Sequence, residues 1–241
     1  MLKKFMFKVH RYVSYFMFIQ FLFWIIGGVV FSIIPFNGIT KGNFVLNVPS
    51  VLLPKDWLKN FPHEYQLNIS NLRAIQTPHG PVVEVTQTDD AGHKKITPIN
   101  VQTLNVITHT NEEQVIEFAQ QFHKHNAAIE SVSLITEPKM RLGIVDELYG
   151  VTDVWQVSFD DSYNTRLYFS KITGEFLKLR NDYWVVYDFF WRLHILDIPN
   201  GESFNGLMLR IAAILALFFT LSGVYLTFSA IKRDVKRLKK T

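Results

Sequence analysis

Two long stretches without a charged residue, one near each end, constrain this chain more than any other feature. Residues 12–36 (YVSYFMFIQFLFWIIGGVVFSIIPF) carry no charge, and residues 211–228 (IAAILALFFTLSGVYLTF) form a second such stretch. At about 1.5 Å per residue, the first is long enough to cross a hydrocarbon core of about 30 Å. We therefore predict two transmembrane helices, at residues 12–36 and 206–229.

The first stretch also has the basic start of a secretory signal peptide. It is longer than the apolar region of a signal peptide, however, and no small-residue cleavage site follows it. The sequence therefore predicts an uncleaved membrane anchor.

Basic residues concentrate beside the two apolar stretches. The ten flanking residues are Lys3, Lys4, Lys8, Arg11, Lys232, Arg233, Lys236, Arg237, Lys239 and Lys240. Because the whole chain has a net charge of only +4, the region between them is net acidic. The positive-inside rule then predicts that residues 1–11 and 230–241 are cytoplasmic and that the middle lies outside, in a bacterium the periplasm. An acidic middle region also argues against nucleic acid as a partner.

Residues 37–185 have the alternation and turn signals of one small α+β domain. The segment GPVVEVTQTDDAGHKKITPI predicts two strands joined by a turn at residues 89–92. The segment NEEQVIEFAQQFHKHNA predicts a helix capped by Asn111. Further alternating segments flank turns at residues 160–164 and 173–174, so we predict an antiparallel sheet. The chain has no cysteine, which excludes disulfides, thiol catalysis and iron–sulfur clusters.

Three segments of this chain resemble the family of PepSY-associated transmembrane proteins. VWQVSFDDSYNTRLYFSKITGEFLKLRND is similar to the last strands of a PepSY domain, and it runs into a W-x-x-Y-D-F-x-W-x-L-H segment at residues 184–194. FMFKVHRYVSYF resembles the family's entry to the first span, and the second span ends in an S-G-x-Y/W-L pattern. Some members are inner-membrane ferric reductases that carry b-type haem. The short layout of this chain is most similar to the VciB-type ferric reductases that assist ferrous iron uptake.

The resemblance implies a fold and a function. The expected fold is a membrane α+β protein in which two transmembrane helices flank a periplasmic PepSY-like domain with an antiparallel sheet. The expected activity is reduction of periplasmic Fe(III) by a haem b protein of the bacterial inner membrane, which supplies Fe(II) to a ferrous iron permease. No dinucleotide-binding motif is present, so the electrons must come from a cytoplasmic or quinol donor.

Two of the eight histidines are candidate haem ligands because they lie beside the predicted spans. His10 precedes the first span, and His194 lies in an aromatic segment, residues 186–205, that predicts an amphipathic helix on the outer leaflet. On the residues alone, an interfacial histidine is the commoner explanation for each, and the resemblance is what favours haem binding. Since the two lie at opposite ends of spans about 30 Å thick, we predict that they bind different irons. A homodimer would pair each histidine with its own copy.

Three carboxylates near His194 are candidate ligands for the ferric substrate, because Fe(III) prefers oxygen donors. They are Asp188, Asp197 and Glu202. Asp188 has a structural alternative, an ion pair with Arg192 four residues further along a helix.

The protein as a whole also has an alternative function. It would be a PepSY-type periplasmic binding or regulatory module, a protease inhibitor or accessory subunit, without redox chemistry.

Overall fold

The computed structural model of the chain describes residues 2–41 and 46–239, so Lys240 of the predicted cytoplasmic flank lies outside it. The chain divides into two compact units. One is helical and contains the residues up to Ile34 and those from Val186 onward, and the other is residues Pro35–Val185. The five α-helices are α1 (Leu2–Ile33), α2 (Phe36–Lys41), α3 (Glu112–Gln120), α4 (Asp182–Ile195) and α5 (Leu207–Leu238).

Helices α1 and α5 are the two elements long and apolar enough to cross a membrane, in agreement with the predicted spans. Of the most apolar 18 residues of each helix, only 17% in α1 and 11% in α5 are buried within the chain. The core helix of a soluble protein is mostly buried. Both helices extend past the predicted bounds of 12–36 and 206–229 on the basic side. The uncharged stretches therefore mark only the apolar part of each helix, and the basic flanks continue it.

The larger unit contains nine strands, all in antiparallel sheets, as predicted for an α+β domain. The strands are β1 (Ile69–Thr77), β2 (Gly80–Thr88), β3 (Lys94–Asn100), β4 (Ile129–Ile135), β5 (Met140–Arg141), β6 (Val145–Asp146), β7 (Val154–Phe159), β8 (Arg166–Ser170) and β9 (Phe176–Arg180). Strands β1, β2 and β3 form one sheet in chain order, while β5 pairs with β6. Strands β2 and β3 form the predicted hairpin, whereas the sequence did not predict β1.

The second sheet has the order β4-β7-β8-β9, and α3 packs on one of its faces. The side chain of Asn111 caps α3, as predicted, and Gln114 completes a capping box. The buried residues of α3, Val115, Phe118 and Ala119, form one core with the inward side chains of the strands. Phe122, just beyond the end of α3, belongs to the same core.

A buried charge cluster fixes the start of α4 to this sheet. The Arg166 guanidinium donates to both carboxylate oxygens of Glu147 and, 2.9 Å away, to Asp182 in the first turn of α4. Arg141 and Asn164 donate to the same Asp182 carboxylate. Burial would raise the pKa of Asp182, but the hydrogen bonds from Asn164 and Arg166 outweigh it and the pKa is lowered. The carboxylate therefore stays ionised and holds the first turn of α4.

Candidate functional site

His10 lies on α1 with its ring against α5. The imidazole stacks on Phe219, with ring centroids 4.2 Å apart. Its Nδ1 is 3.2 Å from the Phe219 carbonyl oxygen and 3.1 Å from the Ser222 hydroxyl. A carbonyl oxygen can only accept, so Nδ1 carries the proton of the neutral ring and Nε2 keeps a free lone pair. This is the tautomer in which a histidine binds iron through Nε2.

Gly223 makes room for the His10 ring. A Cβ atom at this position would lie 3.2 Å from His10 Cε1, closer than most side chains tolerate. The ring cannot move far, because Phe219 stacks on its face. The S-G pair of the sequence pattern therefore serves His10 twice: Ser222 orients the ring and Gly223 gives it space.

His194 lies in the last turn of α4 among aromatic side chains. Its ring centroid is 5.7 Å from that of Phe31, 6.0 Å from that of Trp24 and 6.4 Å from that of Trp191. Its Nδ1 is buried and has no hydrogen-bond partner among the described residues. Burial lowers the pKa of His194, so the ring is neutral. A buried polar atom without a partner costs free energy, and native structures rarely keep one without a reason.

A glycine lies beside this histidine as well. A Cβ atom at Gly27 would lie 3.8 Å from His194 Nδ1 and 3.5 Å from the Phe31 ring. At the neighbouring Gly28 it would meet nothing within 4 Å. Of the two adjacent glycines of α1, Gly27 is thus the one that borders His194.

Two polar side chains of α1 hold the end of α4. The Gln20 amide donates to the Leu193 carbonyl at 3.0 Å, and the Trp24 indole donates to the His194 carbonyl at 2.8 Å. The last carbonyls of a helix have no partner within it, so these two bonds cap α4. Gln20 is buried, and the polar edge of Trp24 faces α4.

These contacts show that α4 runs back along α1. Tyr187 contacts Phe31, while the end of α4, seven residues later, reaches Trp24 and Gln20. The sequence predicted a helix that lies flat on the outer leaflet. The structure differs because the aromatic side of α4 packs on the aromatic side chains of α1.

The turn after α4 is built around a buried ion pair. Arg192 is fully buried, and its Nε donates to Asp188 at 2.6 Å, as the i,i+4 spacing predicted. Its Nη1 donates to the carbonyls of Ile198 and Pro199, 2.8 and 2.9 Å away. Gly201, at a φ of +70°, lies so close that a Cβ atom would be 3.1 Å from the guanidinium. Asp188 is therefore committed to holding this turn.

The other two candidate ferric ligands lie in or beside the same turn. The Asp197 carboxylate accepts from the backbone N–H groups of Glu202 and Ser203, and these bonds lower its pKa. The Glu202 side chain is exposed. Within residues 2–41 and 46–239, no three His, Cys, Asp or Glu side chains come together as a metal site. At most an open site with few protein ligands can form here.

The two candidate haem ligands contact different turns of α1. His10 is on that helix, and His194 lies against it at Trp24 and Gly27. His10 precedes Trp24 by 14 residues and Gly27 by 17, which corresponds to roughly 21–26 Å along the axis of α1. One iron cannot bind both rings within one chain, which agrees with the prediction of separate sites.

The remaining six histidines lie in the larger unit. His63, His93 and His109 are exposed, while His79 is half-buried and bonded to Thr110. His123, three residues beyond the end of α3, is buried with its Nε2 3.0 Å from the Asp161 carboxylate. Its Nδ1 accepts from the backbone N–H groups of His125 and Ala127, so both of its nitrogens are in use. His123 holds the fold of this unit.

Haem b, the cofactor that the resemblance implies, fits the residues at both positions. The His10 ring has its Cε1 edge beside Gly223, and His194 has a buried Nδ1 beside Gly27 that finds no hydrogen-bond partner among the described residues. Both rings lie among apolar side chains, as a porphyrin requires.

No known family model matches the chain, and no match was found among curated protein sequences or solved structures. The case for haem therefore rests on these contacts and on the resemblance.

Proposed function

We propose that this chain is a haem b protein of the bacterial inner membrane that reduces periplasmic Fe(III) to Fe(II). The observation that carries the proposal is the pair of histidines in one helical unit. Each ring is placed by a neighbouring helix, and within residues 2–41 and 46–239 neither His10 Nε2 nor His194 Nδ1 has a hydrogen-bond partner. Interfacial histidines that merely face headgroups need neither the close fit at Gly223 nor the aromatic surroundings of His194.

The roles of the protein residues follow from their contacts. Phe219 and Ser222 fix the His10 tautomer, and Gln20 and Trp24 fix the backbone that carries His194. When bound, haem b supplies one-electron chemistry between Fe(III) and Fe(II) states. The aromatic side chains around His194 exclude water from that position.

A homodimer completes the two iron sites. A b-type haem held by two histidines would need a second imidazole at each level, and one chain offers one histidine at each. A two-fold axis along the bundle would bring His10 to its copy and His194 to its copy. Mild detergent extraction is expected to yield a dimer.

The direction of electron flow follows from the basic flanks. The positive-inside rule predicts that Lys3 and Lys236 lie on the cytoplasmic side, so the larger unit belongs to the outer side. His194, beside Trp24, then lies further from the cytoplasm along α1 than His10. One electron enters from a reduced cytoplasmic flavin or a membrane quinol and leaves to one Fe(III) ion outside. The Fe(II) product is the substrate of a ferrous iron permease. Asp197 and Glu202, beyond the end of α4, would supply oxygen ligands to the Fe(III) ion.

A second candidate function, a PepSY-type binding or regulatory module without redox chemistry, is favoured by a different observation. The larger unit has a polar groove of about 260 Å³. Its lining includes Arg141, Gln156, Ser158, Asn164 and Arg166. Such a groove suits a polar peptide or a small polar ligand better than it suits iron.

Visible spectroscopy of the purified chain tests the proposal. Wild type is expected to show a Soret band that shifts on reduction, His10→Ala and His194→Ala each to lose haem, and His93→Ala, an exposed histidine of the larger unit, to be unchanged. A folded protein that stays colourless after haem supplementation would contradict the proposal and leave the binding-module function. Equal haem content in all four proteins would show that neither histidine is a ligand.

A further inference from the structure

The basic ends of α1 and α5 form a groove that the proposed function does not use. It has a volume of about 830 Å³ and lies where the first turn of α1 meets the last turns of α5. Six of its seven lining residues are cationic. The lining is Lys3, Ser229, Lys232, Arg233, Lys236, Arg237 and Lys239.

The end of α5 is amphipathic beyond its uncharged stretch. Lys232, Lys236 and Lys239 recur at i, i+4 and i+7, and they share one helix face with Arg233 and Arg237. The opposite face carries Ile231, Val235 and Leu238, which are 52%, 45% and 76% exposed. A helix with one basic face and one apolar face lies at the surface of a membrane, with its basic face among headgroups.

The positive charge of the groove is not balanced by the protein. Within residues 2–41 and 46–239, the acidic side chain paired with a groove cation is Asp234, 3.6 Å from Arg233. The helix dipole contributes only about half a negative charge at the end of α5. Like charges within one groove repel each other, and a bound anion would relieve this repulsion.

Topology alone does not explain such a groove. The positive-inside rule requires basic residues near the ends of the spans, and it is satisfied by cations that point in any direction. Here Lys3 of α1 and the cations of α5 line the same cleft, and the lining also includes Ser229. Lys and Arg side chains together with a hydroxyl are typical of phosphate-binding sites.

We propose that this groove binds a phosphate group. The phosphate can come from an anionic phospholipid headgroup or from a soluble phosphate ester in the cytoplasm. The apolar face of α5 keeps the groove at the level of the headgroups, which favours the lipid. The inference does not depend on haem, since no groove residue contacts His10 or His194.

Native mass spectrometry of the purified full chain in a neutral detergent tests the lipid source. Bound phosphatidylglycerol is counted against bound phosphatidylcholine, and inorganic pyrophosphate is then added as a competitor. We expect phosphatidylglycerol to be retained preferentially, and Lys232→Gln/Lys236→Gln to weaken its binding by about tenfold or more. Displacement of the lipid by millimolar pyrophosphate would assign the groove to a soluble phosphate ester instead.

The matched control is Lys4→Gln/Lys8→Gln, which removes the same charge at the same end of the helices but outside the groove. It is expected to bind phosphatidylglycerol like wild type, and Lys232→Arg/Lys236→Arg is expected to restore binding. An equal loss in the groove variant and the control would overturn the site, because only net charge would then matter. Equal retention of both lipids by wild type, with no pyrophosphate binding, would also overturn it.

Discussion

The two histidines of the helical unit differ in how completely the protein holds them. His10 is fixed on three sides: Phe219 stacks on its face, Nδ1 is bonded to the Phe219 carbonyl and to Ser222, and Gly223 borders its edge. His194 is surrounded by aromatic rings, and its buried Nδ1 has no partner within the described residues. The backbone beneath His194 is held tightly by Gln20 and Trp24, while its ring is not.

This difference indicates which position depends on its ligand. The His10 ring keeps its orientation through its own hydrogen bonds, so this position is organised before anything binds. An unpaired buried nitrogen costs about 1–3 kcal/mol, and the position of His194 carries that cost until a partner is supplied. We therefore expect ligand loss to disturb the surroundings of His194 more than those of His10.

The largest expected effect is loss of outward electron transfer in His194→Ala. A histidine in the last turn of α4 contributes little to the core, so the variant should fold and express normally. Ferric reduction by whole cells, measured with an external ferrous chelator at equal expression, is expected to fall to background. A rate equal to that of wild type would leave His194 as an interfacial residue and transfer the redox hypothesis to His10 alone.

Alanine substitutions at Gly223 and Gly27 test how much space each glycine leaves beside the histidine ring that it borders. In Gly223→Ala the new Cβ lies 3.2 Å from the His10 ring, which cannot retreat from Phe219. In Gly27→Ala the nearest atoms are at 3.5 Å, an ordinary contact. We expect haem affinity to fall about tenfold or more in the first variant and to stay unchanged in the second.

Gly28→Ala is the control for these substitutions, because its Cβ meets nothing within 4 Å. Titration of the purified apoproteins with haem, followed at the Soret band, measures all three affinities. If haem affinity fell as much in Gly27→Ala as in Gly223→Ala, the two histidine rings would be equally tightly packed, and the expected difference between them would be wrong.

The smallest expected effect is at Ser222. Ser222→Ala removes one of the two acceptors of the His10 Nδ1 proton and leaves the Phe219 carbonyl. The ring becomes less basic and stabilises ferric haem less, so the reduction potential of that haem should rise. One hydrogen bond of about 1 kcal/mol corresponds to about 40 mV for one electron.

Spectroelectrochemistry of wild type and Ser222→Ala measures this shift. Since Ser222 does not contact His194, the potential of the other haem should stay constant and serves as an internal reference. An equal shift of both potentials, or a fall in the first, would show that Ser222 does not act through His10.

Sequence patterns of short range predicted much of this fold. The two spans follow from uncharged stretches of sufficient length, the β2–β3 hairpin from its turn residues, and the start of α3 from Asn111. Each of these signals lies within about 25 residues. The ends of α1 and α5 were missed because the basic flanks, which were treated as tails, also favour helix.

The remaining features depend on pairing between distant residues. Most of β1 is exposed, so it has no apolar alternation, and only its register with β2 defines it. The direction of α4 depends on Gln20 and Trp24, which are separated from their partners by 173 and 170 residues. The sequence named His10 and His194 but could not show that Gly223 and Gly27 border them.

The bonds from Gln20 and Trp24 also have a consequence for synthesis. A ribosome that adds about 5–20 residues per second needs on the order of ten to thirty seconds to reach residue 193 after residue 20 has been made. During that interval the Gln20 amide and the Trp24 indole lack the α4 carbonyls that accept from them. The helical unit can therefore be completed only late in synthesis, after residues 193 and 194 have been made.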